Sequence, residues 1–480
     1  DRRDEGLCRR IDIVFYKLRT QIMNITLSMP DQKCLLNYFR AAGLIILSVC
    51  LLCFGQTASE RFMPPSKSQI PAESAKEAEA KCRAFLNFFK TPAKQFMPLG
   101  FYGMAAYMQN PDELRILRQG GVVLFHKYSG TQTIEDALAD LRSAQEAGAV
   151  TLQNLPRTYI DGSNAIYNAT KSTYLNAKEI EFWQKYITAL ANNDQILAWY
   201  LPEEIEPNNL DKWEQLSDII RTIDTKKRPL ITSVDKWYPA YLKRVGHITD
   251  AVVFASYPSY YMPRPRADIK RRIEKAYENG APVVIAALEA LKGRRNWTRP
   301  KDVRFDAYLS LISGAKGIMW YAYNYAKPRP GLVEAVLGVA TELNGPENLG
   351  EVLLLGKEPT SLKCRLLEGP KLSPPATAYD ERDWQKEDAF KQYDSIQWTA
   401  REYKNCLYIF AVNTAQKVEE GPATDDGGAA YTVRATFGPI NSPFSKIQVI
   451  SENREIGLSD GYLTDTFEPI GVHIYKIKLD

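Results

Sequence analysis

Histidine is scarce in this chain: three occur in 480 residues, His126, His247 and His473, far apart from one another. None stands in an HExxH run or a Cys/His spacing, so neither a His-based metal site nor a Ser-His-Asp triad is expected. No GxGxxG or GxxxxGK[ST] run follows a strand-like stretch, so no nucleotide cofactor, and no cofactor or metal of any kind, is expected. An excess of one charge is also lacking. The 61 Lys and Arg against 57 Asp and Glu leave a net charge of +4, too little over this length for a bulk nucleic-acid binder. Of seven cysteines, only Cys82, Cys364 and Cys406 follow residue 60.

The composition that remains is ordinary for a large globular protein, with 45% apolar and 25% charged residues. The length exceeds one usual domain and predicts two domains plus processing segments. Aromatic content is high at 11%, with 27 Tyr and 8 Trp, which suits a carbohydrate-binding surface or simply large cores. Composition leaves both open.

Residues 29–59, "MPDQKCLLNYFRAAGLIILSVCLLCFGQTASE" with the following Glu60, have the layout of a secretory signal peptide. Lys33 and Arg40 form the basic region, about fifteen apolar residues follow from Ala41, and small residues at Thr57, Ala58 and Ser59 offer a cleavage site. The apolar run is short of the ~20 residues of a membrane span. Residues 1–59 therefore read as upstream extension and leader, and the protein as secreted, periplasmic or surface-located without stable membrane insertion. Export permits disulfides, and Cys364 with Cys406 is the candidate pair. Residues 60–96 read as a Pro/Ser linker and an N-terminal helix at about 74–90.

Short apolar runs then alternate with helical periodicity. The runs are "MPLGFYGM" (97–104), "GVVLFHKY" (121–128), "AVTLQNL" (149–155), "ILAWYL" (196–201), "PLITSV" (229–234), "AVVFASYP" (251–258), "PVVIAALEAL" (282–291) and "GIMWYAY" (317–323). Alternating strands and helices imply parallel pairing, and near-continuous apolar strands imply a sheet covered on both faces. Eight units over 97–348 match the ~250 residues of a (β/α)8 TIM barrel. From residue 349 the pattern changes to period-two strands with turn signals, and 349–480 reads as a small antiparallel β-sandwich domain.

In such a barrel the active site lies at the C-terminal ends of the strands. Glu203, Glu204 and Glu206 follow the fourth run, and Glu289 ends the seventh. Acids also favour the first turn of a helix. Here, however, the helix "LDKWEQLSDII" is predicted to start at Asn208 or Asn209. Glu203 and Glu204 thus fall in the strand-to-helix loop, and Glu206 reads as a solvated charge. Glycoside hydrolysis needs two carboxyl groups flanking the bond. The interval 289 − 204 = 85 residues is three βα units of about 28 each, so Glu204 and Glu289 would face each other across the mouth. Other strand-end residues are candidate sugar contacts: His126, Gln153, Asn154, Asp235, Tyr257, Trp320 and Tyr321. His126 could equally be a packing histidine, and Tyr257 and Trp320 could be core.

Three segments resemble bacterial glycoside-hydrolase-like barrels related to clan A. "LAWYLPEEIE" is similar to their "WYLADEP" at strand 4, "RFDAYLSLISGAKGIMWYAY" to their approach to strand 8, and "VISENREI…LTDTFEPIGVHIYKI" to their closing β-sandwich. The resemblance implies that Glu204 is the acid/base, that Glu289 stands where the nucleophile belongs, and that Trp320 is a sugar platform. Clan A enzymes usually carry Asn before the acid/base, whereas this chain has Glu203. A second acid there could raise the pKa of Glu204 by like-charge repulsion, or Glu203 could itself be the acid.

The reading is therefore a secreted glycoside hydrolase, retaining with two glutamates, acting on a carbohydrate partner. Arg264, Arg266, Arg294, Arg295 and Arg299 follow strands 6 and 7, and arginine forks suit sulfate or carboxylate. Arg264 and Arg295 are accordingly substrate candidates and an anionic glycan is one candidate substrate class; the alternative is that some of these arginines face solvent or neutralise local acids. The competing expectations are a non-catalytic carbohydrate-binding protein on a degenerate barrel and, more remotely, an envelope assembly protein.

Overall fold

The structure is a computed structural model that describes residues 72–128, 133–155, 174–234, 238–257, 266–291, 298–373, 392–415 and 431–479. The leader, the Pro/Ser linker, Asp235, Arg264, Arg294 and Arg295 lie outside these residues. The chain divides into two compact units, Asp1–Ser74 and Ala75–Asp480. Among the described residues no helix is long and apolar enough to cross a membrane.

Eight parallel strands close into a barrel in sequence order: β1 (Leu99–Phe101), β2 (Leu124–Phe125), β3 (Thr151–Asn154), β4 (Ile196–Tyr200), β5 (Leu230–Val234), β6 (Ala251–Ser256), β7 (Val284–Glu289) and β8 (Gly317–Tyr321). Each strand falls inside the apolar run that predicted it. β1 and β8 complete the ring through Leu99↔Ile318, Gly100↔Met319 and Phe101↔Trp320.

Strand alternation divides the side chains into two sets. Leu99, Phe101, Phe125, Trp199, Val252, Phe254, Val284, Leu288, Ile318 and Trp320 belong to the core shared with the surrounding helices. Leu124, Leu152, Ala198, Ile231, Val253, Ile285, Ala287 and Met319 fill the lumen, which Phe85, Leu86 and Phe89 join from the N-terminal helix Ala72–Leu86 and the turn after it. Both faces of each strand are buried, which is why the runs read as continuously apolar.

Gly100 faces a lumen with no room for a side chain. A Cβ built on it would stand 2.5 Å from the Leu124 Cβ and carbonyl oxygen and 2.6 Å from the Met319 sulfur. Gly100→Ala is expected to overpack the barrel and cost about 1–3 kcal/mol, measurable as a lower urea midpoint at unchanged m-value.

The helices start where the sequence supplies caps. Asn110 accepts from the Glu113 N–H, and Thr133 with Asp136 and Asn176 with Glu179 form capping boxes. The helix after β4 runs Leu210–Ile223 behind a 3₁₀ turn, Pro207–Asn209, so the acidic segment precedes it.

Beyond the helices Leu332–Asn344 and Leu349–Leu355 comes an eight-stranded antiparallel sheet. Its strands are β9 (Lys363–Glu368), β10 (Ile396–Tyr403), β11 (Cys406–Asn413), β12 (Val433–Gly438), β13 (Lys446–Val449), β14 (Arg454–Ser459), β15 (Tyr462–Phe467) and β16 (Val472–Lys478), in the order β10-β11-β16-β13-β14-β15-β12-β9. They enclose a core that includes Ile409, Phe437, Phe467 and Tyr475. The other face of β11 and β16 joins the barrel's core through Phe410, Val412 and Ile474. Tyr308 stacks on Phe410 at 6.3 Å, and Arg304 donates to the Val472 carbonyl at 2.8 Å. The sheet is thus a buttress packed against the barrel.

The expected Cys364–Cys406 bridge is not formed, and all three described cysteines are free. Strand order explains this: Cys364 on β9 lies opposite Phe437 of β12, whereas Cys406 on β11 lies opposite Tyr403 of β10 and Lys478 of β16.

Candidate active site

The lumen parity of each strand continues past its C-terminal end and places one set of side chains at the mouth. Gly100 points inward, so Tyr102 does; Leu124 leads to His126, Leu152 to Asn154, Ala198 to Tyr200, Ile231 to Ser233, Val253 to Ala255 and Tyr257, Ile285 and Ala287 to Glu289, and Met319 to Tyr321. A cavity of about 160 Å³ opens there, lined by Tyr102, Tyr128, Glu203, Glu204, Ser233, Ala255, Tyr257, Leu291 and Tyr321. That volume is close to the ~150 Å³ that holds a single six-membered ring.

The loop carrying the glutamates is fixed from three sides. The Thr232 hydroxyl donates to the Pro202 carbonyl at 2.9 Å, the Glu204 N–H donates to the Ser233 carbonyl at 2.9 Å, and the Tyr241 hydroxyl donates to the Ile205 carbonyl at 2.7 Å. Glu204 itself is exposed and sits in the left-handed region at φ 51°. A non-glycine residue there costs of order 1–3 kcal/mol, and it persists where the surroundings over-determine it, as at many functional sites.

Glu203 is only 8% exposed. The Tyr200 hydroxyl donates to its Oε1 at 2.8 Å, and the Tyr102 and Tyr200 hydroxyls are 2.7 Å apart. A phenol has one proton to give, so with Tyr200 donating to Glu203, Tyr102 donates to Tyr200. Burial and then the Glu203 charge hold the Tyr200 phenol well above its ordinary pKa, so this chain of donors stays intact at any physiological pH. Tyr200→Phe removes a hydrogen bond to a charged acceptor and is expected to cost about 1.5–3 kcal/mol, read from chemical denaturation.

Around these groups lies a tyrosine cluster. Ring centroids are 5.8 Å apart for Tyr102–Tyr128, 5.4 Å for Tyr128–Tyr321, 5.8 Å for Tyr257–Tyr321 and 6.3 Å for Tyr321–Tyr325. Burial, followed by the neighbouring Tyr102 and Glu203, lifts the Tyr257 phenol well above its usual range. The cluster offers ring faces, edges and hydroxyl groups to the cavity.

His126 is wholly buried. Its Nε2 is 3.1 Å from the Asn154 Oδ1, and its ring packs 4.2 Å from Tyr200 and 5.0 Å from Tyr102. It supports the site from behind its wall. Glu289 faces the lumen in register with Tyr321, is 2% exposed and adds to the field that holds Arg266 charged.

Two expectations need correcting on parity. Trp320 is 0% exposed and faces the helices, packed 6.0 Å from Phe101, so it offers no platform; its neighbour Tyr321 lines the cavity. Gln153 likewise faces outward, donating to the Asn154 carbonyl at 3.0 Å and to the Tyr186 hydroxyl at 3.2 Å.

The arginine rim is also revised. Arg266 is 6% exposed and held between Asp302, at 3.1 Å, and Asp306, and Arg299 pairs with Asp302 at 2.9 Å. Both are engaged by acids of the helix Pro300–Ile312. Sequence reasoning passed over Tyr102, Tyr128, Tyr200 and Ser233; the signal was their even spacing from inward-facing strand residues.

No family model matches the sequence, and no curated protein does. Several solved structures resemble the fold. An α-amylase from Geobacillus thermoleovorans, complexed with acarbose, is 10% identical, with 80% of this chain and 98% of that chain covered and a TM-score of 0.47. A glycoside hydrolase family 5 protein from Bacteroides vulgatus is 12% identical over 80% and 90% of the two chains, with a TM-score of 0.48. A family 30 subfamily 8 xylanase from Clostridium acetobutylicum is 12% identical over 80% and 95%, with a TM-score of 0.43. At such identities the likeness is one of chain arrangement alone.

Proposed function

We propose that this protein is a secreted glycoside hydrolase acting with retention of configuration. The observation that carries the reading is the pair of glutamates held at the end of β4 in a tyrosine-walled, ring-sized cavity. Glu204 supplies the proton to the leaving oxygen, and Glu289 attacks the anomeric carbon from the β7 side. Glu204 then takes a proton from the water that releases the sugar. Tyr128 and Tyr321 provide the stacking surface. Secretion rests on the leader-like residues 29–59.

An anionic glycan no longer draws support from Arg266 and Arg299, whose charges are matched by Asp302 and Asp306. A non-catalytic carbohydrate-binding protein is favoured by one observation: Glu289 is 2% exposed and is not among the residues that line the cavity.

A glycan-panel screen of wild type beside Glu204→Gln and Glu289→Gln separates the two. Turnover by wild type that is lost in both variants supports hydrolysis. Binding without turnover supports the second reading, and unchanged turnover in both variants sinks the mechanism.

A further inference from the structure

His473 on β16 is 9% exposed, and its ring lies 4.5 Å from Phe467. It shares the parity of Tyr475 and Ile477, which fill the sheet's own core. Its Nδ1 is 2.5 Å from the Oε1 of Glu452, in the turn between β13 and β14, and its Nε2 is 3.3 Å from the Thr466 carbonyl oxygen on β15. Burial would raise the Glu452 carboxyl, but His473 and Arg454 outweigh it and hold it below its ordinary range. Carboxylate and carbonyl oxygens only accept, so each ring nitrogen carries a proton here and the ring is an imidazolium.

The charges around the ring balance only with that extra proton. Arg454 of β14 pairs with Glu452 at 2.7 Å and with Asp465 of β15 at 2.7 Å, and the Tyr475 hydroxyl donates to Asp465 at 2.9 Å. Two carboxylates thus face one guanidinium, and the imidazolium supplies the second positive charge. From the barrel side, Arg304 donates to the Val472 carbonyl and is itself paired with Glu342 at 3.1 Å.

The same Nδ1 is also 3.3 Å from the Arg454 Nη2. A guanidinium only donates, so this contact becomes a hydrogen bond when Nδ1 has lost its proton. Nδ1 therefore has a partner for each state: Glu452 when it is protonated, Arg454 when it is not.

The Glu452 contact ties together the two segments by which this part of the sheet meets the barrel. Ile450 after β13, and Ile470, Val472 and Ile474, belong to the barrel's core, and the Ile450 N–H donates to the Ile474 carbonyl at 2.8 Å. In the same segments Ser451, Asn453 and Ile470 sit in the left-handed region, at φ 66°, 48° and 55°. For the β-branched Ile470 this is a genuine outlier. Such backbone persists only where the surrounding contacts over-determine it.

We infer that His473 is a pH-sensitive latch at the seam between sheet and barrel. Its imidazolium clasps Glu452 and holds the turn after β13 against β16; its neutral form turns to Arg454 and frees that turn. The paired form is the protonated one, so the latch is closed under acidic conditions and opens as pH rises.

The test is hydrogen exchange read by mass spectrometry on the full chain at about pH 5.5 and about pH 8.0, on either side of the ordinary histidine range. Rates are corrected for intrinsic exchange. Peptides covering 447–454 and 466–476 report the latch, and peptides from β5 to β7 serve as the reference. The expected result is protection of the latch peptides, relative to the reference, about ten- to hundred-fold greater at the acidic pH, as for a hydrogen bond to a charged group. That gain should vanish in His473→Gln, which keeps an amide donor without the charge, and in Glu452→Gln. Equal relative protection at the two pH values, or greater protection at the alkaline one, overturns the inference. So does an acidic gain that survives either substitution. Should His473→Gln not fold, Glu452→Gln and the wild-type comparison decide by the same outcomes.

Discussion

Glu204→Gln is expected to lower turnover of unactivated glycosides by roughly 10²–10⁴-fold, the range that a positioned general acid contributes. The substitution keeps the side chain's size and leaves the backbone bond from the Glu204 N–H to the Ser233 carbonyl in place. The side chain is exposed at the mouth, so stability should change little and the loss should appear in kcat. A second readout separates chemistry from a misplaced loop. Aryl glycosides whose leaving groups need no protonation should lose far less activity in the variant. If both substrate types lose activity equally, Glu204 is not the acid. If Glu203→Gln instead shows the selective loss, the acid is the neighbouring carboxyl.

The second large effect is on stability. Arg266 lies at the start of the segment that leads into the helix Asp268–Glu278, and it is buried together with Asp302 and Asp306 of the next helix, Pro300–Ile312. Arg266→Met strands the buried Asp306 carboxyl and leaves Asp302 with Arg299 alone, and is expected to cost about 3–5 kcal/mol, the range for breaking a buried ion pair from one side. Chemical denaturation at pH 7 measures it.

The same cluster gives a pH signature. Burial, aided by the Asp302 charge, outweighs Arg266 and lifts the Asp306 carboxyl from 3.8 to about 6. The folded protein therefore holds this proton more tightly than the unfolded chain does. The resulting stabilisation is complete below about 3.8 and is lost as pH rises through about 6. Asp302 runs the other way: burial would raise it, but Arg266 and Arg299 prevail and hold it below 3.8. Its contribution is present above 3.8 and is lost on further acidification. In Asp306→Asn the fall in stability between pH 4 and pH 6.5 due to Asp306 should vanish. An unchanged pH profile in that variant would contradict the assignment.

The barrel was legible because eight apolar runs alternate with helical periodicity, and each strand lies inside its run. Which neighbour faces the lumen was not legible. In "GIMWY" and "TLQN" both strand faces are buried, one against helices and one inside the ring, so hydrophobicity does not mark the parity. Trp320 and Tyr321, or Gln153 and Asn154, look equivalent in the sequence and face opposite ways in the fold. The arginines misled for a related reason: spacing places Arg266 near the mouth, but only three dimensions show Asp302 and Asp306, 36 and 40 residues further on, closing over it. The acidic loop was readable because Pro207, Asn208 and Asn209 delay the helix to Leu210. The tyrosine chain behind Glu203 joins β1 to β4 across 98 residues, a separation that no local pattern encodes.

The most direct test of the two-carboxylate mechanism is trapping of the glycosyl-enzyme. Wild type would be incubated with the 5-fluoro glycosyl fluoride of the sugar it turns over, digested, and the labelled peptide identified by mass spectrometry. The account predicts one adduct, on Glu289. An adduct on Glu203 or Glu204, or hydrolysis that proceeds with inversion and leaves no adduct, would contradict it.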